Sequence, residues 1–193
     1  VADQDTSVLL TGETGTGKEL VAKAIHAKSR RAHQPFVALN CGAMPENLLE
    51  TELFGHQKGA FTGATHPRKG FLEVVSGGTL FLDEIGEIGM KMQIDLLRVL
   101  EERRISRVGS SQTVPVDFRL ITATCKDLEK EIAAGRFRED FFYRIHVIRI
   151  AIPPLRERKE DIPLLARHFL SKISHETGRK VDHISQAALK MLQ

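Results

Sequence analysis

Two short clusters hold residue types whose spacing suits phosphate chemistry. The first is Gly12-Glu13-Thr14-Gly15-Thr16-Gly17-Lys18. Glycines at this spacing let the backbone curl until successive N–H groups converge, which is what a cradle for phosphate oxygens needs. A helix opening at Lys18 adds its positive end, and the lysine reaches toward β- and γ-phosphates. Glu19 follows, where many such loops place a Ser or Thr whose hydroxyl meets Mg2+. A triphosphate repels a carboxylate unless a cation or water intervenes, so Glu19 needs an explanation of its own. The second cluster is Asp83-Glu84, which closes the apolar run Gly77-Gly78-Thr79-Leu80-Phe81-Leu82. Asp83 is suited to hold Mg2+, directly or through water. Glu84 is suited to accept a proton from water attacking a γ-phosphate. Taken singly, the clusters read as a glycine-rich turn with an exposed lysine and as a turn cap beside a solvated acid. Taken together, they favour nucleotide hydrolysis.

These residues need a frame that brings both clusters to one edge. The runs Ser7–Thr11, Phe36–Asn40, Thr79–Asp83, Phe118–Ala123 and Val147–Ile150 have strand length. Most are apolar on both faces, which predicts strands buried between helices in a parallel sheet. Helical patterns alternate with them. Lys18–Arg30 presents Leu20, Val21, Ala24 and Ile25 on one face, and Lys91–Glu102 presents Leu96, Leu97 and Leu100. Lys126–Ala134 and Glu139–Ile145 are shorter helices. The alternation predicts a doubly wound α/β core in which both clusters sit at the C-terminal edge, where ligands bind in open sheets. Residues 1–152 form this nucleotide-binding subdomain. Pro153-Pro154 reads as a linker. Asp161 is the expected N-cap of a helix with Pro163 in its first turn, along which Ile162, Leu165, Phe169 and Ile173 recur at helical spacing. Ser185 is placed to cap a second helix, Gln186–Gln193. Residues 153–193 therefore read as linker and partial helical subdomain, and a chain running from Val1 to an amphipathic end at Gln193 reads as a fragment.

Composition narrows the classes. With 41% hydrophobic and 27% charged residues, the 193-residue chain suits a packed soluble domain. Its 28 Lys+Arg against 25 Asp+Glu give +3, too small an excess to argue nucleic-acid binding. Cys41 and Cys125 rule out a disulfide scaffold, fit a reducing cytosol, and are expected to be small buried residues. No apolar run approaches a membrane helix, so no membrane partner is expected. The eight histidines have no metal-site spacing, and the cluster Lys28, Arg30 and Arg31 reads as cations at a helix end.

The motifs together resemble the central AAA+ ATPase domain of bacterial sigma-54-dependent transcription activators, the NtrC-like enhancer-binding proteins. The likeness covers almost the whole chain. That family's phosphate loop (Walker A) reads G-x-x-G-x-G-K-E, which fits Gly12–Glu19, Glu19 included. Its signature hexapeptide is Gly59-Ala60-Phe61-Thr62-Gly63-Ala64, preceded here by Glu52-Leu53-Phe54-Gly55-His56. Gly77–Glu84 matches its Walker B strand, and Pro153-Pro154-Leu155-Arg156-Glu157-Arg158 the approach to its helical lid. The resemblance implies an AAA+ P-loop NTPase fold: a five-stranded parallel sheet flanked by helices, then the start of a lid. It implies ATP held by Gly12, Glu13, Thr14, Gly15, Thr16, Gly17, Lys18 and Glu19, with Asp83 serving Mg2+ and Glu84 polarising water. Asn40 would be the switch that engages Glu84, Thr124 the sensor of the γ-phosphate, and Arg138 and Arg144 the fingers reaching a neighbouring subunit. Cys125 stands where many members carry Asn or His. The lid arginine of the second sensor motif would lie beyond Gln193. Residues Gly59–Ala64 would contact sigma-54 factor and RNA polymerase, in a cytoplasmic hexameric ring, with DNA bound through a domain outside this span.

On the residues alone, Asn40 equally caps the turn at Cys41–Gly42, a loop Phe61 tucks into the core, and the two arginines form surface ion pairs. Three functions stay open at this level. One is a mechanical ATPase acting on sigma-54 polymerase. The second is a small-molecule kinase, for which no acceptor pocket is evident. The third is a nucleotide-gated binding or DNA-binding module without turnover, against which Lys18, Asp83 and Glu84 argue. A protein unfoldase of another AAA+ branch is disfavoured by the hexapeptide.

Overall fold

The computed structural model describes residues 1–178 and 183–192. The chain divides into two compact units, Val1–Ile152 and Pro153–Gln193. Along the first run β1 (Val8–Thr11), α1 (Lys18–Ala27), β2 (Phe36–Asn40), α2 (Glu46–Phe54), β3 (Gly55–His56), β4 (Arg68–Lys69), α3 (Phe71–Val74), β5 (Thr79–Asp83), α4 (Met90–Glu102), β6 (Arg104–Ser106), β7 (Thr113–Pro115), β8 (Arg119–Thr124), α5 (Leu128–Ala133), α6 (Glu139–Ile145) and β9 (Ile148–Ala151). The second holds α7 (Ile162–Thr177) and α8 (Gln186–Leu192). Gln193, the expected end of α8, lies outside the described residues. Among the described residues no helix is long and apolar enough to cross a membrane.

Five strands form one parallel sheet in the order β2-β5-β8-β1-β9. The chain leaves β1 for the far edge and returns past it to β9, so the switch in strand order falls between β1 and β8. That is where ligand crevices open in such sheets. β5 and β8 are buried along nearly their whole length, because helices cover both faces. One core, with Leu80, Leu82, Leu96, Leu100, Phe141 and Ile145, lies under α2, α4 and α6. The other, with Val8, Leu10, Phe81, Ile121 and Ala123, lies under α1.

The buried face of α1 differs from the expected stripe. Ala22 and His26 are buried, whereas Leu20 is 72% exposed and Ala24 is exposed. Lys18 has to turn inward to the phosphate loop, and that fixes the helix phase: positions one turn on, Ala22 and His26, follow it inside. The buried His26 Nδ1 lies 2.9 Å from Thr79 Oγ1, and burial holds its pKa below the usual value. The helix also ends early, at Ala27, where the Ser29 hydroxyl bonds the His26 carbonyl at 2.7 Å. Arg31 lies beyond the helix end and donates to both Asp5 and Asp117, tying the first residues to the loop before β8. The short hairpins β3–β4 and β6–β7, and helices α2 and α3, carry no signal that stood out in the sequence.

In the second unit Asp161 occupies the N-cap of α7 with Pro163 in the first turn, but its side chain makes no capping bond. The Ser185 hydroxyl accepts the Ala188 N–H at 3.2 Å, as a cap for α8 should.

Candidate functional site

β1 delivers the chain to the sheet edge at Thr11, and the turn through Gly12–Gly17 returns it as α1. Lys18 is only 5% exposed. Its ammonium lies across the inside of the loop and donates to the carbonyls of Gly12 at 3.0 Å and Glu13 at 3.2 Å. The Thr16 hydroxyl bonds the Glu13 carbonyl at 2.8 Å. Glu13, Thr14 and Gly15 form the exposed rim. Glu19 points elsewhere: its carboxylate is exposed and meets Lys23, one turn along α1, at 2.7 Å. Its negative charge is thus matched by a lysine on the outer face of the helix.

The register of the sheet brings the other candidates to the same edge. Thr11 pairs with Thr124, and Asn40 pairs with Asp83. The Gly12 N–H donates to the Thr124 carbonyl at 3.3 Å, which fastens the phosphate loop to the end of β8. The Thr124 side chain is fully buried, and its hydroxyl accepts the Lys126 N–H at 3.0 Å. Lys126 in turn donates to the Gly86 carbonyl and to Glu87, so the end of β8 also grips the turn after Glu84.

Asp83 and Glu84 are half-buried at the end of β5. Asp83 Oδ1 accepts the Glu84 N–H at 2.9 Å. Glu84 itself sits at φ 52°, ψ 46°, a left-handed conformation that costs a non-glycine residue of order 1–3 kcal/mol and concentrates at functional sites. No group of three or more His, Cys, Asp or Glu that could hold a metal occurs among the described residues. Asp83 nevertheless fits Mg2+, which takes one or two carboxylates and completes its shell with phosphates and water.

One expectation about this edge changes, that of a buried Cys125. Cys125 is exposed, because it follows the last residue of β8 and stands in the open edge rather than in the core. Its thiol lies 3.4 Å from Glu84 Oε2. No hydrogen bond joins Asn40 to Glu84 among the described residues. Asn40 Oδ1 accepts the Gly42 N–H at 2.9 Å, the local turn cap that the sequence offered as the plainer alternative. The two side chains nevertheless flank the same glycine. A Cβ built on Gly42 would stand 3.5 Å from Asn40 Oδ1 and 3.7 Å from Glu84 Cβ. Cys41, beside them, is buried, and its thiol pKa is pushed up to about 12 by burial first, then by the charges of Asp83 and Glu84.

The bonds of Arg138 and Arg144 go to α6 itself and to α4. Arg138, the N-cap of α6, forms a bidentate pair with Asp140 at 2.6 and 3.0 Å. Arg144 donates to the Leu100 carbonyl at 2.7 Å.

Residues Gly59–Ala64 form a separate projection between β3 and β4. Gly59 and Gly63 adopt φ of +82° and +100°. The loop closes on itself through the Gly59 N–H to the Ala64 carbonyl at 2.8 Å, and Ala64 is buried. Phe61 at its tip is 46% exposed, with one edge against the His56 ring at 4.9 Å. The base of the loop rests on the β6–β7 hairpin: Gln57 N–H bonds the Val108 carbonyl, Val108 N–H bonds the Gly55 carbonyl, and Ala60 packs on Gly109. The hairpin's supporting role had no signal in the sequence beyond Gly109 in a polar stretch.

The chain matches the family described as "Sigma-54 interaction domain" over residues 1–151 and "AAA+ ATPase lid domain" over 156–193. It is 57% identical over 192 residues to the Nif-specific regulatory protein of Azotobacter vinelandii, covering all of this chain and 37% of that protein. It is 54% identical over 192 residues to Regulatory protein AtoC of Escherichia coli strain K12, covering 100% and 42%. The chain thus spans about two fifths of the length of these relatives. Among solved structures, NtrX from Brucella abortus in complex with ADP aligns with a TM-score of 0.91 at 40% identity, over 100% of this chain and 42% of that one. The same protein in complex with ATP aligns at 0.89 and 40% identity, over 98% and 43%.

Proposed function

The chain belongs to the sigma-54 interaction domain family of AAA+ P-loop NTPases, and from that premise we propose that it hydrolyses ATP to drive the remodelling of sigma-54 RNA polymerase holoenzyme that permits open-complex formation. The single observation that carries this reading is the sheet register, which gathers Lys18, Thr124, Asp83 and Glu84 at one edge while the Phe61 loop projects elsewhere.

In this reading the backbone N–H groups of Gly12–Gly17, the start of α1 and Lys18 bind the nucleotide phosphates. The carbonyls of Gly12 and Glu13 hold the ammonium at the loop until phosphate oxygens compete for it. Asp83 would hold Mg2+, which would neutralise charge developing on the phosphates. Glu84 takes the proton from the attacking water. Cys125 holds the Glu84 carboxylate in the present arrangement, and Asn40 stands close enough to exchange its Gly42 contact for Glu84 when the turn moves. Thr124 senses the γ-phosphate through the strand end fastened to Gly12. Arg138 and Arg144 serve the site of a neighbouring subunit in a hexameric ring. Two features support motion passing to the Phe61 loop. The strained turn at Glu84 leads into α4, and α4 leads directly into the hairpin on which that loop rests. DNA binding is assigned to a segment outside these residues, and the assembly acts in the cytoplasm.

ATPase rate against protein concentration, with and without sigma-54, tests this in the full-length protein. Glu84→Gln should keep ATP affinity and lose phosphate release by about 100-fold or more. Phe61→Ala should keep hydrolysis within about twofold yet fail to promote open complexes. Unchanged phosphate release by Glu84→Gln removes the base, and open complexes made by Phe61→Ala remove the loop assignment.

A further inference from the structure

Gln93, in the first turns of α4, has no solvent exposure at all. Its amide is engaged on both sides. Nε2 donates to the Ile88 carbonyl at 3.0 Å and to the Arg136 carbonyl at 3.1 Å, while Oε1 accepts the Arg138 N–H at 2.8 Å. Ile88 is buried and closes the turn that begins at Glu84. Arg136 and Arg138 bracket the buried Phe137 and lead into α6. One side chain therefore ties the segment downstream of Glu84 to the residue at the head of α6. At its other end, α4 offers the Leu100 carbonyl to Arg144. Helix α6 is thus seated on α4 at both ends.

A primary amide is costly to bury unless its bonds are made, and here both ends of the amide are engaged by backbone groups. What the amide adds is geometry. It fixes the backbone on either side of Phe137, up to the N–H of Arg138, whose side chain is then left to choose between Asp140 and another anion. We propose that Gln93 is a positioning residue for Arg138, setting the head of α6 against the Glu84 turn so that the guanidinium meets the nucleotide of the neighbouring subunit. The inference rests on the assignment of Arg138 as a finger acting in trans.

The test uses mixed oligomers of the full-length protein. Gln93→Met should bind ATP with unchanged Kd and lose about tenfold or more in kcat. Mixed with Lys18→Ala subunits, whose own sites are empty but whose fingers are intact, it should regain activity. Mixed with Arg138→Ala subunits, it should not. Gln93→Leu, which also removes the amide and buries no charge, should show the same loss and the same mixing pattern. A wild-type kcat for Gln93→Met overturns the proposal, as does equal rescue by both partners. Loss of cooperative thermal unfolding in both Gln93 variants also overturns it, since the amide would then serve the fold alone. Should Arg138→Ala itself keep the wild-type rate, the finger assignment falls and takes this proposal with it. If Arg138→Ala is defective and Gln93→Met is not, only the present inference fails.

Discussion

Gly12–Gly17 and Gly59–Gly63 are both loops bounded by glycines in the same unit, each with an exposed tip, yet they are held differently. In the first, a Cβ on Gly12 would stand 2.7 Å from the Ile152 carbonyl oxygen, and Thr16 and Lys18 are buried. In the second, a Cβ on Gly59 or Gly63 would meet nothing within 4 Å, and Phe61 is 46% exposed. The first loop is held by its neighbours in the shape that a phosphate needs. The second is held at its base by Ala64 and the β6–β7 hairpin, while its tip has Phe61 against the His56 ring and open space at both glycines. A site that binds and hydrolyses benefits from preorganisation. An element that pushes on a partner needs a firm root and a movable end.

Removing the charge at the first loop should produce the largest effect. Lys18→Ala should weaken ATP binding by at least about 100-fold, or roughly 3 kcal/mol, as read by titration, while the Phe61 loop keeps its proteolytic susceptibility. Normal affinity in that variant would remove the basis of the contrast. A matched pair of glycine substitutions sharpens it. Gly12→Ala should lower stability by about 1–3 kcal/mol through overpacking against Ile152. Gly63→Ala meets no atom and carries only the left-handed penalty, about 1–2 kcal/mol, with ATP hydrolysis within about twofold of wild type. Equal loss of ATP affinity in the two would mean that the loops are not separately supported.

An effect of similar size, confined to the fold, concerns the root of the second loop. Arg107, just after β6, makes two bonds of 2.7 Å to Glu73 of α3, and they hold the Glu73 carboxyl below its ordinary value of 4.5. A depressed carboxyl stabilises the fold above the unfolded value and loses that contribution as pH falls through the folded value. Glu73→Gln should therefore cost about 1–2 kcal/mol near neutral pH and flatten the fall of Tm below pH 4.5, with ATP affinity unchanged. A wild-type acid limb in that variant would detach the ion pair from the hairpin's support.

The five strands were legible because apolar runs of strand length are local facts. β2 and β5 fall where the sequence sets them, and β1, β8 and β9 are displaced by a single residue. The phosphate loop and Asp83-Glu84 were legible for the same reason. Leu20 misled, since its hydrophobicity says nothing about the inward turn that Lys18 imposes on α1. Cys125 misled too, being judged by residue type when its place at a strand end decides its exposure. Gln93 gave no signal, because its partners Arg136 and Arg138 lie 43 and 45 residues away along the chain.

The sequence by itself determined the five strands of the parallel sheet, the phosphate loop and the acidic pair, since each depends on residues within a few positions of one another. Only the tertiary structure decided which edges meet, that Cys125 reaches Glu84, and that α4 joins the catalytic turn to the arginines and to the hairpin beneath Phe61. Those are long-range contacts. They depend on strand order and helix phase, and no local pattern of residue types encodes either one.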